Sequence, residues 1–510
     1  MKHIKLNIFA FVILHLAAVI SLTACYKDHS TEIDEMVPNI IIEDFDELYT
    51  VESFSGNKLT LTPTLNTGYQ ESELNYDWYL IDRQAESSVS DEVYEREYIA
   101  SGKTLDYEVN LSPGDYYIVL EVKANNGYGV SKLINLRAVT TFSQGFYILK
   151  QTPDGNTELD LFNPETGMFK ENIFTAIDGK SWDGEPAYLS VGLDHSYIDV
   201  STNKTAVSNV VTVTNTKGDI RVMRTSDLRE VLNRSNLLFE DFEEGEIPYR
   251  IVTNMWLNAL VTNKGIRSQY QGSISPGASG RYGVTNGVTA SPWMTVNPDD
   301  NGLYFWDNTT NSICHCDYNG TIVIGEDDNY KINRLRNTEC VHVGYNYTKQ
   351  CVLFVTRNRL NGVKQIYRLS AGFASGFKVE GITNLSASKI NDAVTYTTCA
   401  HSASYLYGLL ADGTIMAYDI EAGTERKITP AGIPDDEKIT YISDKSISTA
   451  EIYFIVGTTK GDTYTLRYYN LLGGLTDGEP VYTVSGKGDT KSIQYVSGDL
   501  NSYRISPMQN

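Results

Sequence analysis

Tyr405-Leu406-Tyr407-Gly408-Leu409-Leu410-Ala411-Asp412-Gly413-Thr414-Ile415-Met416-Ala417-Tyr418-Asp419 reads as an apolar strand, a glycine turn and a second strand ending in Tyr-Asp. The same unit recurs at Phe146–Leu149 with Gly155, Val210–Val213 with Gly218, and Trp256–Val261 with Gly265. It returns at Leu303–Trp306 with Asn311, Val352–Val355 with Gly362, and Ile452–Val456 with Gly461. The first strands start 64, 46, 47, 49, 53 and 47 residues apart, and Gly155 to Gly461 spans 306 residues, a mean period of 51. A period near 50 built from paired strands implies one four-stranded blade per repeat, because a lone blade cannot bury both its faces. Phe146 to Ser506 supplies 361 residues, and seven blades of that period need about 357. The expected fold class over 141–510 is an all-β propeller with seven blades. Six blades with an inserted loop, or two further sandwiches, fit the rhythm less well.

Before residue 141 the rhythm is shorter. Asn39–Ile42, Lys58–Thr62, Leu74–Leu80, Val93–Ile99, Leu105–Leu111, Asp115–Ala124 and Val130–Val139 are seven candidate strands, with Asn126-Gly127 in the last turn. Seven short strands in about 100 residues suit an immunoglobulin-like sandwich over 37–140. Trp78 is the candidate buried aromatic of a middle strand. Leu111-Ser112-Pro113-Gly114-Asp115-Tyr116 fits a corner whose tyrosine hydroxyl bonds back to the backbone. No cysteine lies between Tyr26 and Ile313, so the sandwich is expected to lack an inter-sheet disulfide.

Residues 1–24 carry Lys2 and Lys5, an apolar run from Leu6 to Leu22, and small residues before Cys25. That layout is a secretory signal. Leu22-Thr23-Ala24-Cys25 resembles the bacterial lipoprotein signal, which implies cleavage before Cys25 and acylation of its thiol. An ordinary signal with a chance cysteine is the alternative. His15 interrupts the run, which argues against an uncleaved anchor. Residues 25–36 form an acidic tether, and loss of Lys2 and Lys5 would move the net charge from −22 to −24.

Asp and Glu outnumber Lys and Arg by 64 to 42, which argues against a nucleic-acid partner, since phosphate recognition needs basic patches. The chain has 35 Tyr against 16 Phe, as expected for a sheet-rich protein whose aromatic rings keep a polar tip.

No catalytic motif emerges. His195, His315, His342 and His401 lack the partner His four residues on, Gly486-Lys487-Gly488-Asp489 is not a phosphate loop, and Gly277-Ala278-Ser279-Gly280 is not a nucleophile elbow. Adjacent residues of a strand point apart, so Asp194-His195-Ser196 is not a triad. Cysteines 314, 316, 340, 351 and 399 lie near His315, His342 and His401, but without metal-ligand spacing. Aligned on the repeat, Ile313-Cys314-His315-Cys316-Asp317 falls on Ile415-Met416-Ala417-Tyr418-Asp419, which makes Cys314 and Cys316 core residues. Asp154-Gly155-Asn156-Thr157-Glu158-Leu159-Asp160 alternates oxygen ligands like a calcium loop, but lacks the later bidentate Glu and doubles as a hairpin turn. We therefore expect no metal, no cofactor and no catalytic residue. The run Glu240, Asp241, Glu243, Glu244, Glu246 reads as a solvated loop. Ser226–Arg234 is predicted to be a short helix, and Gly272–Ala290 a long mobile loop. Trp293, Tyr304, Trp306 and Trp256 are the candidate ligand-binding aromatics. Core packing is the stronger reading for the two strand residues, Trp256 and Trp306.

The Tyr76-Asp77-Trp78 and Leu-x-Pro-Gly-x-Tyr motifs resemble the PKD-like modules of Bacteroidetes lipoproteins. Signal, tether, module and repeat domain together resemble accessory surface lipoproteins of SusCD-type uptake systems. The resemblance implies an outer-membrane, cell-surface protein held by lipid alone, with a TonB-dependent SusC-type transporter and a SusD-type lipoprotein as partners. It further implies a non-catalytic role in nutrient uptake, with oligopeptide favoured over oligosaccharide as ligand. A propeller glycosidase or lyase, and a purely structural spacer, are the alternatives.

Overall fold

The computed structural model describes residues 39–497, apart from 54–55, 84–95, 200–202, 254–256, 271–279, 284–286, 298–301, 318–319, 371–377 and 448–450. The signal, the tether and Cys25 lie outside the described residues, as does Trp256.

The first unit is a β-sandwich. Tyr49–Glu52, Gly129–Val139, Gly114–Ala124, Leu74–Asp82 and Glu97–Ser101 form one five-stranded sheet in that order. Two short pairs, Ile40–Ile42 with Leu65–Thr67 and Lys58–Leu61 with Leu105–Glu108, lie opposite. Alternation along Leu74–Asp82 turns Leu74, Tyr76, Trp78 and Leu80 inward, where they meet Leu59, Leu61 and Leu105 of the facing pair. Trp78 is fully buried, and its indole N–H donates to the Gly102 carbonyl at 2.8 Å. The expected corner is present: the Tyr116 hydroxyl donates to the Ser112 carbonyl at 2.9 Å. The described residues hold nine strands where the sequence suggested seven. Tyr49–Glu52 and Leu65–Thr67 are too short to show alternation, and Tyr49–Glu52 is held by a parallel pairing with a strand more than 80 residues away.

After Val139 the chain passes directly into seven radially repeated sheets. Numbered in chain order, each blade runs from an inner strand to an outer one. Blade 2 is Pro186–Asp199, Lys204–Asn215, Ile220–Arg224 and Glu230–Asn233; blade 3 is Pro248–Thr253, Leu257–Thr262 and Gly265–Tyr270. Blade 4 comprises Ala290–Asn297, Gly302–Asp307, Ser312–Cys316 and Ile322–Ile324, and blade 5 Thr338–Asn346, Cys351–Asn358, Lys364–Ser370 and Lys378–Asn384. Blade 6 is Ala393–Thr398, Tyr405–Leu410, Ile415–Asp419 and Thr424–Ile428, and blade 7 Lys438–Ser446, Ile452–Lys460, Thr463–Leu472 and Leu475–Lys487. Blade 1 takes its inner strand from the far end of the chain. Asp489–Val496 pairs with Gly145–Gln151, which continues outward to Thr157–Asn163 and Met168–Lys170. This pairing closes the ring and removes the two open edges that a linear array of sheets would leave.

The period of 51 is thus the blade, and each repeated unit found in the sequence is the second strand and its turn. The turn residue has a positive φ in every blade: Gly155, Gly218, Gly265, Asn311, Gly362, Gly413 and Gly461. The long first interval has a cause. Blade 2 opens on a 14-residue strand and its 12-residue partner, after a helix at Ile173–Asp178.

One expected element is overturned. Ser226–Arg234 is not a helix: Leu228 sits at φ 58°, Arg224 and Asp227 pair at 2.6 Å across a turn, and Glu230–Asn233 is the outer strand of blade 2. Leu232 lies opposite Val222 and is buried with it, so sheet pairing overrides the local helical spacing.

Candidate functional site: the polar axis of the propeller

Each inner strand carries a register shift near its start, including Pro186/Tyr188, Pro248/Arg250, Cys340/His342, Ala393/Thr395 and Ile439/Tyr441. Such bulges bend a strand and re-aim its side chains. The inner strands are also rich in buried polar groups: Ser190, Arg250, Thr295, Asn297, His342, Asn346, Thr397, Ser443, Asp444, Lys445 and Gln494. Most pin one blade to the next. His342 Nε2 lies 2.8 Å from Thr398 Oγ1, and Asn346 donates to the carbonyls of Cys399 and Ala403 at 2.6 and 2.8 Å. Asp444 accepts the Ala400 N–H at 3.2 Å.

One cation differs from this pattern. Arg250, just past its bulge in blade 3, is 4% exposed, and its Nε and Nη1 meet no hydrogen-bond acceptor. Its guanidinium lies over the Tyr188 ring at 5.1 Å, and Tyr188 meets Tyr249 edge-on at 5.4 Å. Both tyrosines are half-buried. Lys445 of blade 7 is also buried and donates to Gln494 Oε1 at 3.3 Å. Both cations belong to inner strands, in blades 3 and 7 of the ring. Burial, with Arg250 adding to it and Asp444 opposing, lowers the Lys445 pKa to about 7; burial lowers Arg250 to about 10 and raises Asp444 to about 7. Chemically, Arg250 offers hydrogen-bond donors and positive charge beside two aromatic rings.

The residues singled out from the sequence lie elsewhere. Trp306 and Tyr304 are buried, with Trp293 packed beside them, in a core cluster between blades 4 and 5. Burial removes Trp306 and Tyr304 from the surface as stacking platforms, while Trp293 is half-exposed. Cys314 and Cys316 lie on the third strand of blade 4, as Met416 and Tyr418 do in blade 6, and all four are buried. Among the described residues, no group of three or more His, Cys, Asp or Glu is placed to hold a metal. The carboxylates of the calcium-like stretch face inward instead. Glu158 accepts the N–H groups of Phe174 and Thr175 at 2.7 and 3.1 Å, and Asp160 accepts that of Asn172 at 2.7 Å. The acidic run is not wholly solvated. Glu246 is buried in a bidentate pair with Arg267, at 2.9 and 2.7 Å, which holds its carboxyl low against the opposing effect of burial. Within the glycine-rich stretch, Tyr282 is buried and donates to Asn258 at 2.6 Å, while 271–279 and 284–286 lie outside the described residues.

Sequence reasoning missed Arg250, Tyr188 and Lys445. For Arg250, a charge beside the apolar Ile251-Val252 of an inner strand is the signal that would have found it.

With the fold in hand, the N-terminal unit is recognisable. Residues 25–186 match the model of the PKD-like family. The match covers the whole sandwich and runs on through the first three strands of blade 1. No curated protein matches the chain. Among solved structures, it is similar to a quinonprotein alcohol dehydrogenase-like protein from Bacteroides thetaiotaomicron, with 13% identity and TM-score 0.42 over 91% of this chain and 100% of the other. It is also similar to BamB from Moraxella catarrhalis, with 12% identity and TM-score 0.31 over 68% and 84%. No helix among the described residues is long and apolar enough to cross a membrane.

Proposed function

We propose that this is a non-catalytic cell-surface lipoprotein, anchored through Cys25, that associates with a SusCD-type importer of the outer membrane and helps capture oligomeric nutrient, oligopeptide in preference to oligosaccharide. The observation that carries the reading is the order of parts in one chain. A lipoprotein-type leader precedes a PKD-like module, and the module leads directly into a closed propeller with a polar axis. The join is short and tied down. Thr140 Oγ1 donates to the Ser226 carbonyl at 2.8 Å, and Thr141 Oγ1 to Glu52 at 2.7 Å. A rigid spacer of this kind suits a propeller presented to a membrane partner.

The test is capture of the tagged lipoprotein from native outer membrane in mild detergent. Identification of a TonB-dependent receptor and a SusD-type protein by mass spectrometry is the expected result, and recovery of the lipoprotein alone opposes it. Release of new products from peptide or glycan pools by the pure protein would favour an enzyme instead.

A further inference from the structure

The arginines buried in the propeller form an instructive set. Among the described residues they are Arg250, Arg267 and Arg467. Arg267 holds Glu246 bidentately, and Arg467 holds Glu437 bidentately at 2.7 and 3.1 Å. Each therefore carries its own carboxylate. Among the described residues Arg250 has none: no acid pairs with it, and two of its nitrogens meet no acceptor. A buried guanidinium without a counter-ion is unfavourable. Burying it beside two half-exposed tyrosines makes physical sense if an anion arrives from outside.

We propose that Arg250, with Tyr188 and Tyr249, forms an axial binding site for the carboxylate group of an incoming ligand. The guanidinium supplies the planar donor fork that carboxylates occupy elsewhere in this same protein. Tyr188 and Tyr249 supply ring faces and edges for the body of the ligand. The proposal rests on the capture role and names its chemistry: the cargo is acidic, and its carboxylate stands in the place that Glu246 and Glu437 fill for the other two arginines.

Calorimetry on the detergent-solubilised lipoprotein tests this with two matched pairs, Glu-Glu against Gln-Gln and a galacturonate trimer against a galactose trimer. Preference for the acidic member of a pair is expected, and the pair that shows it identifies the source of the carboxylate. Arg250→Gln should weaken that binding roughly tenfold or more. Arg250→Gln should also raise the Tm of the ligand-free protein, because the charge it removes has no partner. A purely structural arginine would lower it. Equal binding of acidic and neutral probes in both pairs, unchanged affinity in Arg250→Gln, or a lower Tm for Arg250→Gln each overturns the site. Importer co-capture with Arg250→Gln should match wild type, so loss of the site and loss of the partner read out separately.

Discussion

Tyr464 donates its hydroxyl to the buried carboxylate of Asp160, and the two lie 304 positions apart in the chain. Asp160 belongs to the first blade and Tyr464 to the last, so this bond spans the seam where the ring closes. Lys150 completes the group through an ion pair of 2.7 Å in which both side chains are fully buried. Burial raises the Asp160 pKa, with Lys150, Tyr464 and the Asn172 N–H pulling the other way. Lys150→Met would leave the carboxylate without its charge partner, so a loss of roughly 3–5 kcal/mol is expected in chemical denaturation. Tyr464→Phe removes one charge-assisted bond and should cost about 2 kcal/mol. Equal stability of wild type and Lys150→Met would show that the seam does not depend on this group.

The corner at Tyr116 gives a smaller, local prediction. Tyr116→Phe keeps the ring packed against the sandwich core but deletes the bond to Ser112, so stability of that unit should fall by about 1 kcal/mol. A larger loss would mean that the hydroxyl supports more than the corner.

The five described cysteines are buried thiols, and burial is the first cause raising the pKa of Cys314, Cys316 and Cys351 to about 12 and of Cys399 to about 11. Cys340 moves in the same direction. The nucleophile is the thiolate, so native protein should resist a thiol reagent for hours, and unfolded protein should take up five equivalents at these positions. Rapid labelling of the native state would contradict the packing.

His342 is buried, and burial lowers its pKa from 6.5 to about 3. Between those values the unfolded state binds the proton and the folded state does not, so this residue's contribution is lost as pH falls through that window. Asp444 works in the opposite sense: its folded pKa of about 7 lies above the unfolded 3.8, so its destabilising effect grows as pH rises through that range. Comparing variant with wild type separates them. His342→Gln should gain on wild type as pH drops from 6.5 to 4, by roughly 3 kcal/mol at the lower end. Asp444→Asn should gain on wild type as pH rises from 4 to 7. Parallel pH profiles for variant and wild type would show that neither group is buried in solution.

What the sequence made legible were features that repeat or are local. The glycine or asparagine turn recurs in every blade, so a period could be measured before any strand was placed. The Ser112–Tyr116 corner is five residues long and carries its own signature. What stayed hidden depends on distant residues meeting. Glu230–Asn233 looks helical until its partner Arg221–Met223 holds it in a sheet, and Glu246 looks solvated until Arg267 arrives 21 residues later. Arg250 was invisible for the same reason: only the packing of blade 3 on blade 2 lays it over the Tyr188 ring. Trp306 and Tyr304 attracted notice as aromatics, and the inter-blade core consumed them both.

The most direct test of the surface-lipoprotein account is imaging of the particle captured from native outer membrane. Electron cryomicroscopy should show a transporter barrel with this propeller docked to it, the sandwich joining the propeller to a Cys25-anchored tether. Particles containing the lipoprotein alone, from membrane in which the importer is present and intact, would contradict it.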